Sequence, residues 1–275
     1  MELEKLEKVK SALNGASPLI SEIEKKRDTK IIVFFCVKSI GAQAAFKLHR
    51  ILRNLRGVTN LDLLVESGGG DIDVTSKIVK MLRRYCKKFC VIVPFYCKSA
   101  ATLIAISADE LVMCKSGELG PVDTMVKDPT TGMWIPAHSI KEALAFIEET
   151  NDPLVKLSMA DKLPPLLLGA FRDAQNAAKQ YLEEALEKLG DKKGQALETF
   201  TTKFLSHGYP IDRDLCKKDG LNVVAPEDDV DDKICDLHAI YIDLMMELKT
   251  DEIMIIQTSD KKCVEINGED ISASV

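Results

Sequence analysis

The stretch LDLLVESGGGD, residues 61–71, decides how this chain folds. Leu61 to Val65 is a short continuous apolar run, the signature of a strand buried on both faces. Three glycines follow. They let the backbone turn sharply and let amide N–H groups approach a ligand with no side chain in the way. From Asp71 to Tyr85 the pattern becomes helical, with Val74, Ile78 and Leu82 on one stripe. The plainest use of this turn is a tight connection in which Asp71 caps the helix. Its other use is an anion cradle, because a helix N-terminus offers unpaired N–H groups and a favourable dipole. The turn lacks the Lys-Ser/Thr ending of a P-loop and the GxGxxG spacing, which argues against a nucleotide site.

The same alternation extends outward. Ile31 to Val37 reads as a strand, and Leu48, Ile51, Leu52 and Leu55 mark one face of a helix that Gly57 ends. After the central unit come a third strand (Val91 to Phe95), a very apolar helix (Ala100 to Ser107) and a short fourth strand (Leu111 to Met113). Strand and helix in turn, with short connections, predict right-handed parallel βαβ units. Upstream, residues 1–29 are polar and helical in pattern, with an interruption expected at Asn14-Gly15. Downstream, residues 123–137 read as an irregular excursion. A mostly helical region follows, broken at Pro164-Pro165, with a long helix over 171–189 and shorter ones over 195–206 and 212–218. PEDDVDDK (226–233) reads as an acidic turn or linker, 232–248 as a helix and 252–267 as a hairpin around Ser259-Asp260.

Composition narrows the function classes. The chain has 275 residues, 46% of them hydrophobic, which excludes a fibre or a disordered polymer. With 37 basic and 43 acidic side chains the net charge is -6, which argues against a nucleic-acid coat. No stretch approaches 18 consecutive apolar residues, and the charged N-terminus has no secretory h-region, so neither a membrane span nor a signal is expected. The eight cysteines show no CxxC spacing. They read as buried reduced thiols in a cytoplasmic protein rather than a metal site or disulfide scaffold, with Cys86 and Cys90 close together on one helix.

A second segment carries chemistry. PFYCKSAAT (94–102) places Ser99 between the end of a strand and the first residue of a helix. That is the logic of a nucleophile elbow, although the GxSxG consensus is absent; the plainer alternative is a serine N-cap. In a parallel layout the C-terminal ends of neighbouring strands share one edge. The N–H groups of Gly69 and Ala100 then face one point beside the Ser99 hydroxyl, an oxyanion hole with a nucleophile.

With these residues in hand the chain resembles the serine dehydrogenase proteinase family, of the Clp protease/crotonase fold and related to signal peptide peptidase A. The stretches that carry the resemblance are LISEIEKKRDTKII (19–32), LDLLVESGGGDID (61–73), VIVPFYCKSAATLIAISADELVM (91–113), LGPVD (119–123), and SHGYPI (206–211) followed by DGL (219–221). The resemblance implies an α/β fold with a repeated ββα/βαβ core and a parallel sheet, followed by a helical region and a small C-terminal β element. The implied divisions are an N-terminal helical segment (1–29), a catalytic domain (30–225) and a C-terminal extension (226–275). It implies a serine peptidase without cofactor or metal, with Ser99 as nucleophile and Gly69, Gly70 and Ala100 around the oxyanion. A peptide or protein is the expected substrate, and a homo-oligomer the expected assembly, through helix 171–189 or 232–248.

The base stays open. Clp proteases carry a histidine after the fourth strand, where this chain has none. Signal peptide peptidases use a lysine, and the comparable place here is PAHSIK (136–141), which offers His138 and Lys141. His207 falls near the position of the Clp aspartate, and Asp123 could orient a histidine. A lysine base would need burial to lower its pKa. His49 lies off the apolar stripe of its helix and reads as a surface residue, and His238 falls inside a late helix with no role in the site. Two departures stand out: Ala101 replaces a family glycine and narrows the space by the hole, and Glu66 brings a carboxylate near the site. Two rival readings follow. One is a non-catalytic scaffold that binds peptides. The other is a crotonase-type acyl-CoA enzyme, which would use the oxyanion hole without a nucleophilic serine.

Overall fold

The structure, a computed structural model, describes residues 3–55, 57–127, 132–163, 165–204 and 206–273. They form two compact units, one from residues 1–120 with 210–275 and the other from 121–209.

The first unit opens with α1 (Leu3–Arg27), then β1 (Lys30–Cys36), α2 (Ala42–Leu52), β2 (Asn60–Ser67), α3 (Ile72–Tyr85) and β3 (Lys88–Val93). β4 (Tyr96–Cys97), α4 (Ala100–Ser107), β5 (Glu110–Met113) and β6 (Glu118–Leu119) follow. The second unit holds the antiparallel hairpin of β7 (Met125–Lys127) and β8 (Trp134–Pro136), then α5 (Ala137–Glu149), α6 (Pro153–Ala160), α7 (Pro165–Ala185) and α8 (Lys193–Thr201). The chain then returns to the first unit with α9 (Arg213–Lys218), β9 (Val223–Val224), α10 (Asp228–Leu248), β10 (Ile253–Gln257), β11 (Lys262–Ile266) and β12 (Glu269–Asp270).

One sheet organises the first unit, in the order β12-β11-β10-β1-β2-β3-β5-β9. From β1 to β9 every pair is parallel, as the βαβ pattern predicts. The expected C-terminal hairpin forms from β10 and β11. It lies antiparallel along β1 and so extends the same sheet. β4 and β6 are too short to show a period in the sequence, yet they matter: β4 pairs with β2 at Ser67↔Cys97 and fixes two turns side by side. The buried stripe of α1 (Val9, Leu13, Ala16, Ile20, Ile23) joins that of α10 (Ile234, Leu237, Tyr241, Leu244) in one core with β1 and β10. α4 is buried all round.

Four local expectations need correction. α1 runs unbroken through Gly15 and Pro18. Those residues cost a helix roughly 4 kcal/mol together, but burying Leu13, Ile20 and Ile23 against α10 supplies roughly 1.5–3 kcal/mol each. The acidic stretch at 226–233 is mostly helix: Asp228, Asp229 and Asp231 sit in the first turn of α10, where the dipole favours them. The long helix of the second unit starts at Pro165, whose ring suits the first turn, and ends at Ala185. Cys86 caps the end of α3 while Cys90 lies in β3. All eight cysteines are free thiols, six of them buried, with Cys86 half-buried and Cys235 exposed. Among the described residues no helix is long and apolar enough to cross a membrane.

Candidate active site

The glycine turn is shaped by what surrounds it. Gly69 and Gly70 have φ of 107° and 154°, a region that side chains disfavour. A Cβ on Gly69 would lie 2.8 Å from Ser99 Cβ and 2.9 Å from Ala100 N, and one on Gly70 would strike the backbone of Ile40. Ile40 acts as a strap: its N–H donates to Gly69 O (2.8 Å) and its carbonyl accepts from Asp71 N–H (2.9 Å). Asp71 also accepts from the N–H groups of Asp73 and Val74, so the helix cap expected of it is present. The Gly69 N–H donates to Ser67 Oγ (3.1 Å). Among the hydrogen bonds of the described residues none engages the Gly70 N–H.

Ser99 sits at φ 51°, ψ −129°, a strained conformation for a residue with a side chain. Its place is that of an N-cap, yet its side chain makes no capping hydrogen bond. The capping role that would explain an ordinary serine is therefore not what this hydroxyl does. Ala100 N–H is the first amide of α4 and has no acceptor within the helix. The turn is braced from below: Lys98 N–H donates to Ser67 O (2.9 Å), and Thr102 Oγ1 donates to Cys97 O (2.9 Å) and Gly120 O (2.8 Å). Strain at Ser99 is thus held by neighbours that over-determine it. Lys98 is largely buried, lies close against Gly120 and pairs with Glu118 at 2.5 Å, so its ammonium has a carboxylate partner already.

Glu66 is fully buried, with its side chain on the opposite face of β2 from Ser67. Its Oε2 accepts from Tyr96 N–H (3.1 Å) and lies 3.3 Å from His238 Nε2 of α10. The His238 ring stacks on Phe95 (centroids 6.0 Å apart). Burial pushes the Glu66 carboxyl up from its ordinary value, with His238 and the Tyr96 amide pulling the other way. So Glu66 links the end of β2 to the segment ahead of Ser99 rather than pointing into the turn. His238 is half-buried on α10, beside the buried stripe of Ile234, Leu237 and Tyr241. Its carboxylate partner on a distant strand left no mark in the sequence, and neither did the Ser67 hydroxyl's bond to Gly69.

The candidate bases belong to the second unit. His207 Nδ1 is buried, has no hydrogen-bond partner among the described residues, and lies 3.9 Å from Asp123 Oδ2. That is beyond hydrogen-bond reach and within favourable charge range. Lys141 is exposed on α5. His138 lies in the first turn of α5, and its side chain falls outside the described set. His49 is half-buried on α2, edge-on to Tyr85. Among the described residues no cluster of His, Cys, Asp and Glu is placed to hold a metal. The buried thiols of Cys36 and Cys216 are pushed up to about 12 by burial, which leaves them protonated and poor nucleophiles at neutral pH.

Comparison with known proteins gives this geometry a context. Residues 5–267 match the family described as ClpP-like SDH-type serine proteinase. Two uncharacterized proteins of Methanocaldococcus jannaschii are each 27% identical, one over 86% of this chain and 78% of its own, the other over 74% and 70%. Among solved structures, a mutant of the 1510-N membrane-bound stomatin-specific protease is similar at 16% identity and a TM-score of 0.47, covering 73% of this chain and 82% of that one. The ClpP protease catalytic domain from Plasmodium falciparum is similar at 12% identity and a TM-score of 0.39, covering 72% and 85%.

Proposed function

Because the chain belongs to the ClpP-like SDH-type serine proteinases, we propose that it hydrolyses peptide bonds with Ser99 as the nucleophile. The observation that carries this reading is the elbow itself. Ser99 is held at φ 51° with a hydroxyl that caps nothing, beside the unbonded N–H groups of Gly70 and Ala100. Strain of that kind is kept where function needs it.

The reaction would run in two steps. Ser99 Oγ attacks the peptide carbonyl carbon while its proton passes to a histidine. The carbonyl oxygen becomes an oxyanion that accepts from the Gly70 and Ala100 N–H groups, donors fixed in advance of the charge they meet. Gly69 sets their direction, since its own N–H is engaged with Ser67 Oγ. The histidine then gives its proton to the leaving amine, and water cleaves the acyl-enzyme by the same route. We propose His207 as the base ahead of His138 and Lys141 on its own surroundings alone. A carboxylate 3.9 Å from its Nδ1 supports the imidazolium that forms. Lys141, exposed to solvent, lacks the burial that would free its amine at neutral pH.

A fluorophosphonate probe with the adduct mapped by mass spectrometry tests the nucleophile. Labelling of Ser99 in the folded protein, lost on heating and in Ser99→Ala, is expected, together with peptide cleavage that Ser99→Ala abolishes. His207→Gln should slow labelling by roughly 10²–10⁴-fold, whereas Lys141→Met should leave it within about twofold. Equal rates for wild type and His207→Gln would remove His207 from the mechanism. Absence of any adduct on folded protein would favour the scaffold or acyl-CoA readings instead.

A further inference from the structure

The strap that shapes the glycine turn is itself held from the far end of the chain. Ile40 lies between Lys38 and Lys47, and both lysines converge on Glu265 in β11. Lys38 Nζ donates to Glu265 Oε1. Lys47 Nζ lies 3.0 Å from Glu265 Oε2 and 3.1 Å from Asp270 Oδ2. Glu265 and Lys47 are 1% and 2% exposed. The same hairpin takes the backbone as well: Ile253 O accepts from Val37 N–H (3.2 Å) and Lys38 N–H (3.4 Å).

A buried ion-pair cluster is a weak explanation of stability, since apolar side chains of similar volume generally do as well or better. What such a cluster does supply is a fixed geometry. Here the geometry it fixes is the segment whose Ile40 bonds both sides of Gly70, and the backbones of Ile40 and Gly70 are packed so closely that neither moves without the other.

We propose that Glu265 is a positioning residue for the oxyanion turn, and that the C-terminal hairpin is thereby a working part of the active site. The proposal rests on the reading of Ser99 as nucleophile for its effect on rate, and on the strap alone for its effect on the turn. The charge pairs hold the β1–α2 connection in place, the connection holds Gly69 O and Asp71 N–H, and Gly70 N–H is aimed as a result. Loss of the Glu265 charge frees the strap without removing any group that touches the substrate.

The test uses the full chain and two readouts, below the onset of unfolding. Hydrogen exchange is followed in the peptide covering residues 68–74, with the α4 segment 100–107 as control. Labelling of Ser99 by the fluorophosphonate is timed in parallel, and kcat and KM are measured on a cleaved peptide. Glu265→Gln is expected to speed exchange at 68–74 by about tenfold or more, with 100–107 unchanged. It should slow labelling and kcat by about tenfold with KM within about twofold, the scale of a sub-ångström misplacement. Glu265→Asp, which keeps the charge, should recover part of both. Lys38→Gln removes only one of the pairs and serves if Glu265→Gln fails to fold. Unchanged exchange at 68–74 in a folded variant overturns the proposal, as does slowed labelling without a change in exchange. If the wild type takes no label, the reading of Ser99 fails while the exchange result still decides the strap.

Discussion

Gly69→Ala measures how tightly the two turns are joined. The new Cβ would meet Ser99 Cβ at 2.8 Å, and Ala100 N and Lys98 O at 2.9 Å, where ordinary contact begins near 3.4 Å. None of these atoms is the end of a flexible side chain, so relief requires the elbow to retreat by roughly 0.5 Å. The strained φ of 107° adds about 1–2 kcal/mol and the overpacking about 1–3 kcal/mol. Taking about 3 kcal/mol as the total, the melting temperature should fall by roughly 6–12 °C for a body of this size. The protein stays folded at 25 °C, because domains commonly have about 5–15 kcal/mol to lose. Labelling of Ser99 should slow by roughly 10–100-fold, since displacement of about half an ångström spoils donor and nucleophile together. Gly68→Ala is the matched control, in the same turn with nothing within 4 Å of its new Cβ and no left-handed φ. It should shift the melt by less than about 0.5 kcal/mol. If the two variants melt and label alike, the argument that the glycine turn abuts the elbow is wrong.

Three further outcomes follow from the same structure. Ser99→Gly removes the side chain that makes φ 51° costly, so it should raise stability by about 1–2 kcal/mol while abolishing labelling; a lower melting temperature would mean the elbow stores no strain. Glu66, raised above its ordinary 4.5 by burial, holds its proton in the folded state at pH values where the unfolded chain has released it. Its contribution to stability is therefore present below pH 4.5 and is lost as pH rises through the folded value. Urea midpoints of wild type should fall relative to those of Glu66→Gln across that window, and a gap that stays constant with pH would contradict the assignment. Asp62 is buried, pairs with Arg27 at the end of α1 and accepts from Thr29 Oγ1 at 3.3 Å. Asp62→Asn should cost about 1–3 kcal/mol, since Arg27 loses its shorter pair and keeps Glu110 at 3.6 Å, read as a lowered urea midpoint.

The features legible in the sequence were those with a local cause. β1, β2 and β3 announced themselves as apolar runs because they are buried on both faces, and α4 was bounded correctly because its start coincides with a strand-to-helix turn. Asp71 and Ser99 both read as helix caps, and only their hydrogen bonds separate them: one accepts two amide hydrogens, the other none. What stayed hidden depends on pairs far apart in the chain. Nothing local in α1 says that its glycine and proline will be tolerated, because the compensation comes from α10. Glu66 read as a charge beside the site, since the sequence could not show that strand alternation turns it toward His238. The acidic run 226–233 reads as a turn or linker because its charge suggests solvent, yet negative side chains are what a helix N-terminus prefers.

The partnership of α1 with α10 also sets the order in which the protein can be assembled. Roughly 200 residues separate the end of one helix from the start of the other, so at about 5–20 residues per second the ribosome needs roughly 10–40 s to deliver the second after the first. Throughout that interval Val9, Leu13, Ile20 and Ile23 form an apolar ridge with no cover, and the β1 edge awaits β10. α1 precedes its partner by most of the fold and stays uncovered until that partner arrives. Until α10 and β10 have been delivered, the sheet that carries the Ser99 turn is unfinished on one side.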